Sequence, residues 1–436
     1  MTTANTLAVP VPPRRTNTTA IFIIGFLFFI FGFITWLNGS LIQFLKLVCQ
    51  LENDVQAFFV TTAFYMAYFF LAMPSSVILK RTGFKKGMAL GLGVMAIGSV
   101  IFIPAAKERS FGLFLTGLFI QGTGLALLQT ASNPYISIIG PIESAAKRIS
   151  IMGICNKVAG IISPLILSVV LLSNATELEK KIDATKVAGD KEQLLNELAG
   201  RVINPYIILA VLLAILAFCL LKSPLPEPAA DAAETSTVPN LTANKKSIWD
   251  FPHLLLGALC IFLYVGVEVM AGDAIGIYGK TMGMPLDVTK RFTSYTLAAM
   301  LVGYVVGIFT IPRIISQQTA LKFSAISGIL FSIAVFVTHG YTAITFIALL
   351  GLANALMWPA IWPLAIDKLG QFTKTGSALL VMGIAGGAVV PLLYATLKKE
   401  TGLNLPNHVA FFICVLPCYL YILYYSIRGY KANSKM

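Results

Sequence analysis

The sequence predicts an all-α membrane protein with 12 transmembrane helices, arranged as two six-helix pseudo-repeats. Of its 436 residues, 57% are hydrophobic and only 12% are charged, whereas an ordinary soluble domain is about one quarter charged. A soluble fold of this size could not cover so much apolar surface with so few charges, but lipid accepts apolar side chains directly. A second observation, the number and spacing of the apolar stretches, gives the helix count.

Twelve apolar stretches are long enough to cross a bilayer. They lie roughly at 20–45, 55–79, 87–106, 111–139, 149–173, 203–222, 252–279, 292–312, 320–338, 341–366, 376–397 and 408–427. An even number of crossings puts both termini on one side of the membrane. The loop 80–86 and both tails are basic, so the positive-inside rule predicts that the N and C termini are cytoplasmic.

Two longer polar segments divide the chain. Residues 174–202 carry mixed charges and predict a solvated external helix, and the proline-containing segment 223–250 predicts a cytoplasmic linker. The predicted organisation is a tail, a first bundle that includes 174–202, the linker, a second bundle and a second tail. These lie at 1–19, 20–222, 223–250, 251–428 and 429–436.

The two halves resemble each other. Gly124-Leu125-Ala126 recurs as Gly351-Leu352-Ala353 about 227 residues later, and Pro164-Leu165 recurs at the same offset as Pro391-Leu392. Two matches at one offset, in corresponding helices, favour a duplication. Two parallel six-helix repeats are typical of the major facilitator fold, whose substrate site lies between the halves.

Several other classes of function are disfavoured. The net charge of +13 comes from short basic clusters between apolar runs, a pattern typical of cytoplasmic loops and not of a nucleic-acid surface. The six cysteines lie mostly in apolar segments without histidine or carboxylate companions, so we expect neither a metal site nor a disulfide framework. The three histidines lie near helix ends and give no convergent catalytic set, so we expect no enzyme and no cofactor.

Polar side chains inside apolar helices are candidates for the transport site, because such groups are costly unless they face protein or water. Gln129 and Asn133 share a helix face, as do Trp358 and Trp362. Carboxamides suit a ligand with several hydroxyls, and an indole suits the C–H face of a sugar ring. The alternatives are interhelical hydrogen bonds for the carboxamides and interfacial anchoring for the indoles. The predicted sugar-binding set is Asn38, Gln43, Gln129, Asn133, Asn156, Glu268, Asn354, Trp358 and Trp362.

Lys157 is the least expected of these polar residues. It lies about nine residues into its predicted helix, roughly 13 Å from the membrane surface, and a lysine at that depth requires a carboxylate, a water-filled cavity or loss of its proton. Glu268 is the candidate partner, and the pair either only fixes helix register or breaks and re-forms during transport. Asp273 lies nearer the external end, where it either contributes to ion coupling or is solvated.

Three segments resemble the fucose–galactose–glucose symporter family, and most closely its bacterial glucose/galactose branch. They are 28–39 (FFIFGFITWLNG), 129–135 (QTASNPY) with 140–148 following, and 264–268 (YVGVE). The resemblance implies ion-coupled uptake of a hexose by alternating access in a bacterial inner membrane. The fucose–proton members have acidic residues where this chain has Gly39 and Gln129, so their mode of proton coupling does not carry over.

The predicted function is therefore import of a hexose, with glucose or galactose favoured over fucose or N-acetylglucosamine. Sodium and protons both remain possible coupling ions, with Glu268, Lys157 and Asp273 as candidates, and a lysine that replaces the ion would leave a uniporter. An exporter and a non-transporting sugar receptor are the remaining alternatives. The predicted partners are the hexose and membrane lipid, without nucleic acid, and we expect a monomer.

Overall fold

The computed structural model describes residues 18–138, 145–185, 187–226, 247–311, 314–369, 372–399 and 403–432, and all regular secondary structure in these ranges is helical. Most of the predicted N-terminal tail, half of the C-terminal tail, most of the linker and most of the 140–148 segment lie outside the described residues. The first half contains eight helices: α1 (Thr18–Thr35), α2 (Asn38–Val48), α3 (Asp54–Lys107), α4 (Phe111–Ile138), α5 (Ala145–Val170), α6 (Ala175–Ala184), α7 (Ala188–Gly200) and α8 (Ile203–Lys222).

The second half begins with a short 3₁₀ turn at Ile248–Asp250 and contains ten further helices. They are α9 (Pro252–Gly272), α10 (Ile275–Thr281), α11 (Leu286–Thr289), α12 (Phe292–Thr310), α13 (Gln317–Val337), α14 (Gly340–Asn354), α15 (Met357–Ile366), α16 (Thr373–Met382), α17 (Gly386–Lys398) and α18 (Asn407–Ile427). A 3₁₀ turn at Gly383–Ala385 joins α16 to α17, and another at Gly429–Lys431 follows α18.

The predicted number of twelve crossings is confirmed once α3 is counted twice. Eleven described helical segments are long and apolar enough to span a membrane, and α3, with 54 residues, is one of them. At about 1.5 Å per residue α3 would be roughly 80 Å long, far beyond the ~30 Å of a hydrocarbon core. Gly83 interrupts it with φ 76° and ψ 175°, a conformation open to glycine because it has no Cβ.

Four spans predicted as continuous are interrupted. The first breaks at Trp36–Leu37 between α1 and α2, the seventh at Asp273–Ala274 between α9 and α10, the tenth at Ala355–Leu356 between α14 and α15, and the eleventh at the 3₁₀ turn Gly383–Ala385. Interrupted backbone at membrane depth is stable only where protein or water satisfies its polar groups. The first and seventh spans occupy corresponding positions in the two repeats, whereas the tenth corresponds to the fourth, which is the continuous helix α4.

Each half packs mainly within itself, and the halves meet along a few helices. In the first half α3 packs against α4 and α8, and in the second half α13 packs against α14 and α18. The halves meet where α5 contacts α12 and where α3 contacts α16 and α17.

Hydrogen bonds and ion pairs join the halves at the end of the bundle that carries residues 174–202. Gln43 and Thr289 exchange two bonds, at 2.9 and 3.4 Å, and Lys398 pairs with Asp54 at 2.7 Å. The remaining pairs are Ser40–Lys290 (3.5 Å), Leu172–Lys290 (2.6 Å), Glu179–Lys280 (2.6 Å) and Thr176–Asp287 (3.1 Å). We call these contacts the polar seam. They show that the 174–202 segment, which was predicted only as a solvated external helix, bonds to the second half.

Close backbone packing holds each half together. On α1, a Cβ at Gly32 would overlap the carbonyl oxygen of Asn156 on α5. On α17, a Cβ at Gly386 would overlap the carbonyl oxygen of Phe262 on α9. Small residues permit this approach in membranes, where van der Waals contact drives helix association.

We expect Gly32→Ala and Gly386→Ala each to destabilise the protein by about 1–3 kcal/mol, because the overlapped atoms are backbone and cannot rotate away. Thermal unfolding in detergent measures this as a lower melting temperature. Gly93→Ala is the matched control, since a Cβ there meets nothing within 4 Å, and we expect it to melt no lower than the parent. Equal melting temperatures for all three variants would contradict the close packing.

Candidate functional site

A polar cavity lies between the two halves near the middle of the bundle. Its volume is about 110 Å³, and α1, α3, α4 and α5 from the first half and α9, α12 and α15 from the second contribute to its wall. Six of the predicted site and coupling residues line it: Gln129, Asn133, Asn156, Lys157, Glu268 and Trp358. The structure therefore brings together polar residues that are far apart in the sequence.

An ion pair joins the halves inside this cavity. Lys157 Nζ on α5 lies 2.9 Å from Glu268 Oε1 on α9, and the two side chains are only 7% and 11% exposed. The hydroxyl of Tyr264 donates to the same carboxylate oxygen at 2.8 Å. This is the pairing that the sequence left open, and charge-assisted bonds of this kind are the strong ones in a site of low dielectric.

The indole of Trp36 lies at the break between α1 and α2 and contacts both halves. Its Nε1 donates to Asn156 Oδ1 at 3.3 Å, and Lys157 Nζ lies 4.3 Å from its ring centroid. Its ring packs against Gly272 at the end of α9. Trp36 was not predicted to line the site, although its place beside Asn38 in a polar stretch of an apolar helix was a signal.

The carboxamides are partly engaged with neighbours in the first half. Gln129 Nε2 donates to the hydroxyl of Tyr68 at 3.0 Å, and Asn156 Nδ2 donates to the carbonyl of Phe28 at 3.4 Å. Asn133 is half-buried one turn beyond Gln129 and also lines the cavity. The amides of Gln129 and Asn156 have more donors and acceptors than these bonds use, so the wall retains hydrogen-bonding capacity toward the cavity.

Aromatic rings form much of the remaining wall. Trp358 stacks on Trp362 with ring centroids 5.2 Å apart, but only Trp358 reaches the cavity, and Trp362 is buried behind it. Four tyrosines that the sequence analysis missed also line the wall: Tyr65, Tyr68, Tyr264 and Tyr304. The spacing of Tyr65 and Tyr68, three residues apart on one helix face, was the available signal.

Four other predicted residues lie outside the cavity. Asn354 is fully buried, and its Oδ1 accepts from the hydroxyl of Tyr419 at 2.7 Å, so this amide links α14 to α18. Gln43 belongs to the polar seam, and Asn38 is buried where α2 begins. Asp273 has no exposed surface, so the alternative that it is solvated was wrong.

Residues 22–394 match the family model described as Major Facilitator Superfamily. The chain belongs to the major facilitator superfamily. It is thus a multi-pass membrane transporter and not an enzyme. Among curated relatives, the glucose/galactose transporter of Brucella abortus is 36% identical over 412 residues, covering 93% of both chains. The L-fucose-proton symporter of Escherichia coli is 26% identical and covers 87% of each.

The solved structures give the same fold. A crystal structure of the E. coli fucose:proton symporter aligns with a TM-score of 0.71 at 24% identity, covering 94% of this chain and 98% of that one. A D-xylose-proton symporter aligns with a TM-score of 0.64 at 16% identity. These likenesses confirm the major facilitator fold predicted from the internal repeat.

The ion pair in this major facilitator protein predicts a strong non-additive effect. Lys157→Met or Glu268→Gln alone leaves an unpaired buried charge, which typically costs about 3–5 kcal/mol. We expect each single variant to melt well below the parent and the double variant to recover most of the loss. A double-mutant cycle of melting temperatures in detergent measures the coupling.

The pair Glu177–Lys181, whose side chains are 64% and 62% exposed on α6, is the matched control. Solvent screens such a pair, so the same substitutions there should give no resolvable coupling. Simple additivity at Lys157 and Glu268 would show that they do not interact.

Proposed function

We propose that this chain imports a hexose, glucose or galactose, across a bacterial inner membrane by alternating access, and that a cation drives the uptake. The observation that carries the proposal is the cavity between the halves, where amides and a Lys157–Glu268 pair face an indole. The printed names of the B. abortus and E. coli relatives support a sugar as the substrate.

The chemistry of the wall suits a sugar ring. Gln129, Asn133 and Asn156 offer donors and acceptors to hydroxyls, and Trp358 offers an apolar face to the ring C–H groups. Hydrogen bonds to hydroxyls confer selectivity, because a sugar that lacks one hydroxyl leaves a buried protein group unpaired. The whole wall comes from one chain, so we propose that the monomer is the functional unit.

The polar seam supports alternating access. The basic loop 80–86 and the basic tails favour cytoplasmic termini by the positive-inside rule, and we propose on that basis that the seam lies on the external side. The bonds between the halves, such as Gln43–Thr289 and Asp54–Lys398, hold that side closed in this structure. Import requires these bonds to break so that the cavity opens outward.

The Lys157–Glu268 pair supports ion coupling, because its members belong to different halves and their separation changes when the halves rock. Coupling requires that the ion bind the inward- and outward-facing states with different affinities. A cation that competes with Lys157 for Glu268 would meet this requirement. If the lysine instead holds the carboxylate permanently, the protein is a uniporter.

Counterflow in proteoliposomes tests the function. We expect unlabelled glucose or galactose inside the vesicles to drive uptake of the same labelled sugar, and fucose and N-acetylglucosamine to compete less well. Repeating uptake under separate sodium and proton gradients identifies the coupling ion, and accumulation under neither gradient would indicate uniport. Sugar binding without counterflow would identify a receptor and contradict the proposal.

We expect Gln129→Ala to weaken sugar affinity roughly tenfold, which corresponds to the ~1.4 kcal/mol of a good hydrogen bond. The concentration dependence of counterflow measures the effect. Gln121→Ala is the matched control on the same helix, because Gln121 is buried outside the cavity and bonds Ser99 at 2.8 Å. If both variants shift the affinity equally, Gln129 has no specific role in binding.

We expect Asp54→Asn to open the polar seam, because it leaves Lys398 and Lys46 without the carboxylate that both contact. Loss of one partner of a buried pair costs about 3–5 kcal/mol, and the bond to Lys398, which crosses between the halves, is lost only from the closed state. The open fraction should rise at least tenfold. Spin labels at Glu52 and Leu403, one on each half and both exposed, report this as a longer distance.

The control is Asp183→Asn, which removes an exposed carboxylate from α6 at the same end. We expect the distance distribution of Asp183→Asn to match that of the parent. Every labelled protein carries Cys219→Ala, which removes the exposed native thiol. An unchanged distribution in Asp54→Asn would exclude a role for this pair in closing the seam.

A further inference from the structure

A buried carboxyl group lies apart from the Lys157–Glu268 pair. Asp273 sits at the break between α9 and α10 and has no exposed surface. Neither of its oxygens has a hydrogen-bond partner among the described residues. Across the interface it faces Gly39 of α2, whose backbone N–H points toward the carboxyl and where a Cβ would lie 3.2 Å from Oδ1. The carboxyl is therefore enclosed where the two halves meet.

Among the described residues, the positive charge that acts on Asp273 is already paired with another acid. On its own helix the charged neighbour is Glu268, a second acid, and α5 supplies Lys157, which is bonded to Glu268 at 2.9 Å. From α3 the titratable neighbour is Tyr65. The α2 and α12 contacts come from uncharged Gly39 and Thr293.

A carboxylate that faces only one backbone N–H, with no side-chain donor and no counter-charge of its own, is too costly to remain ionised at this depth. We propose that Asp273 is a proton-binding site, which must take up a proton for the polar seam to close and which favours the open seam when it is ionised. This inference rests on the proposed alternating access and assigns the proton as the coupling ion.

A proton fits this site better than a metal cation. Hard cations in proteins take about six oxygen ligands, whereas the hydroxyl of Thr293 already donates to the carbonyl of Gly272 at 2.8 Å, and the facing Gly39 has no side chain. The described residues contain no cluster of three or more histidine, cysteine or acidic side chains. A proton needs one carboxyl oxygen, and Asp273 supplies it.

The geometry gives the order of events. Opening the polar seam separates α2 from α9 and α12 and admits external water, in which the ionised carboxylate of Asp273 is stable. Closing the seam requires Asp273 to take up a proton from that side, and the O–H bond breaks again only when the proton passes to water in the cavity on the other side. Trp36 packs against Gly272, the residue before Asp273, so the carboxyl reaches the cavity water only when that indole moves. Proton release toward the cavity is thereby tied to the state of the sugar site.

The first test compares sugar accumulation by the parent protein and by Asp273→Asn in proteoliposomes. With one proton per sugar, an inward gradient of one pH unit should let the parent accumulate sugar up to roughly tenfold. In Asp273→Asn, which cannot ionise, we expect the pH gradient to produce no accumulation above equilibration. Asp190→Asn, an exposed acid on α7, should behave as the parent does. Accumulation that follows a sodium gradient, or survives in Asp273→Asn, would overturn the proposal.

The second test needs neither sugar nor a functioning variant. In the parent, the distance between labels at Glu52 and Leu403 should lengthen as the pH rises, because ionised Asp273 disfavours the closed seam. In Asp273→Asn the distance should not change with pH. A parent distance that is constant between pH 5 and 9 would refute the proposal even if the variant fails to fold. Failure of counterflow in the parent would instead refute the transport function, so the two failures are distinguishable.

Discussion

The structure depends on one buried ion pair whose members belong to different halves. Lys157 and Glu268 are each nearly free of solvent, and either charge alone at this depth would be strongly destabilising. Because neither charge is stable here without the other, the pair holds the two halves close together in this structure. Tyr264 and Trp36 complete the environment by a hydrogen bond to the carboxylate and a ring face toward the ammonium group.

The breaks in the transmembrane helices explain how polar groups gather around that pair. The α1–α2 break places Trp36 against α5 and α9, and the α9–α10 break places Asp273 opposite Gly39. On the side of the breaks away from residues 174–202, helix surfaces form the cavity. On the side toward residues 174–202, α2 and α11 contribute to the polar seam. One discontinuity in each half thus separates a region that can hold a ligand from a region that can close over it.

Most of the fold could be predicted from the sequence, because spanning length and charge placement depend on local composition. The cavity residues on continuous helices, Gln129 and Asn133 among them, could also be predicted from helical spacing. Asn38, Gln43 and Asn354 could not, because the breaks in their helices change which face points inward. The carboxamide of Asn354 looks like a ligand group until Tyr419, 65 residues away in sequence, is found bonded to it.

The central claim is that the cavity beside Lys157 and Glu268 receives the sugar, and a structure of the protein with glucose or galactose bound tests it most directly. We expect density for one ring between the halves, against Trp358 and within hydrogen-bonding distance of Gln129 and Asn156. Density for the sugar elsewhere, or a cavity whose amides stay bonded only to their own half in the presence of saturating sugar, would contradict it.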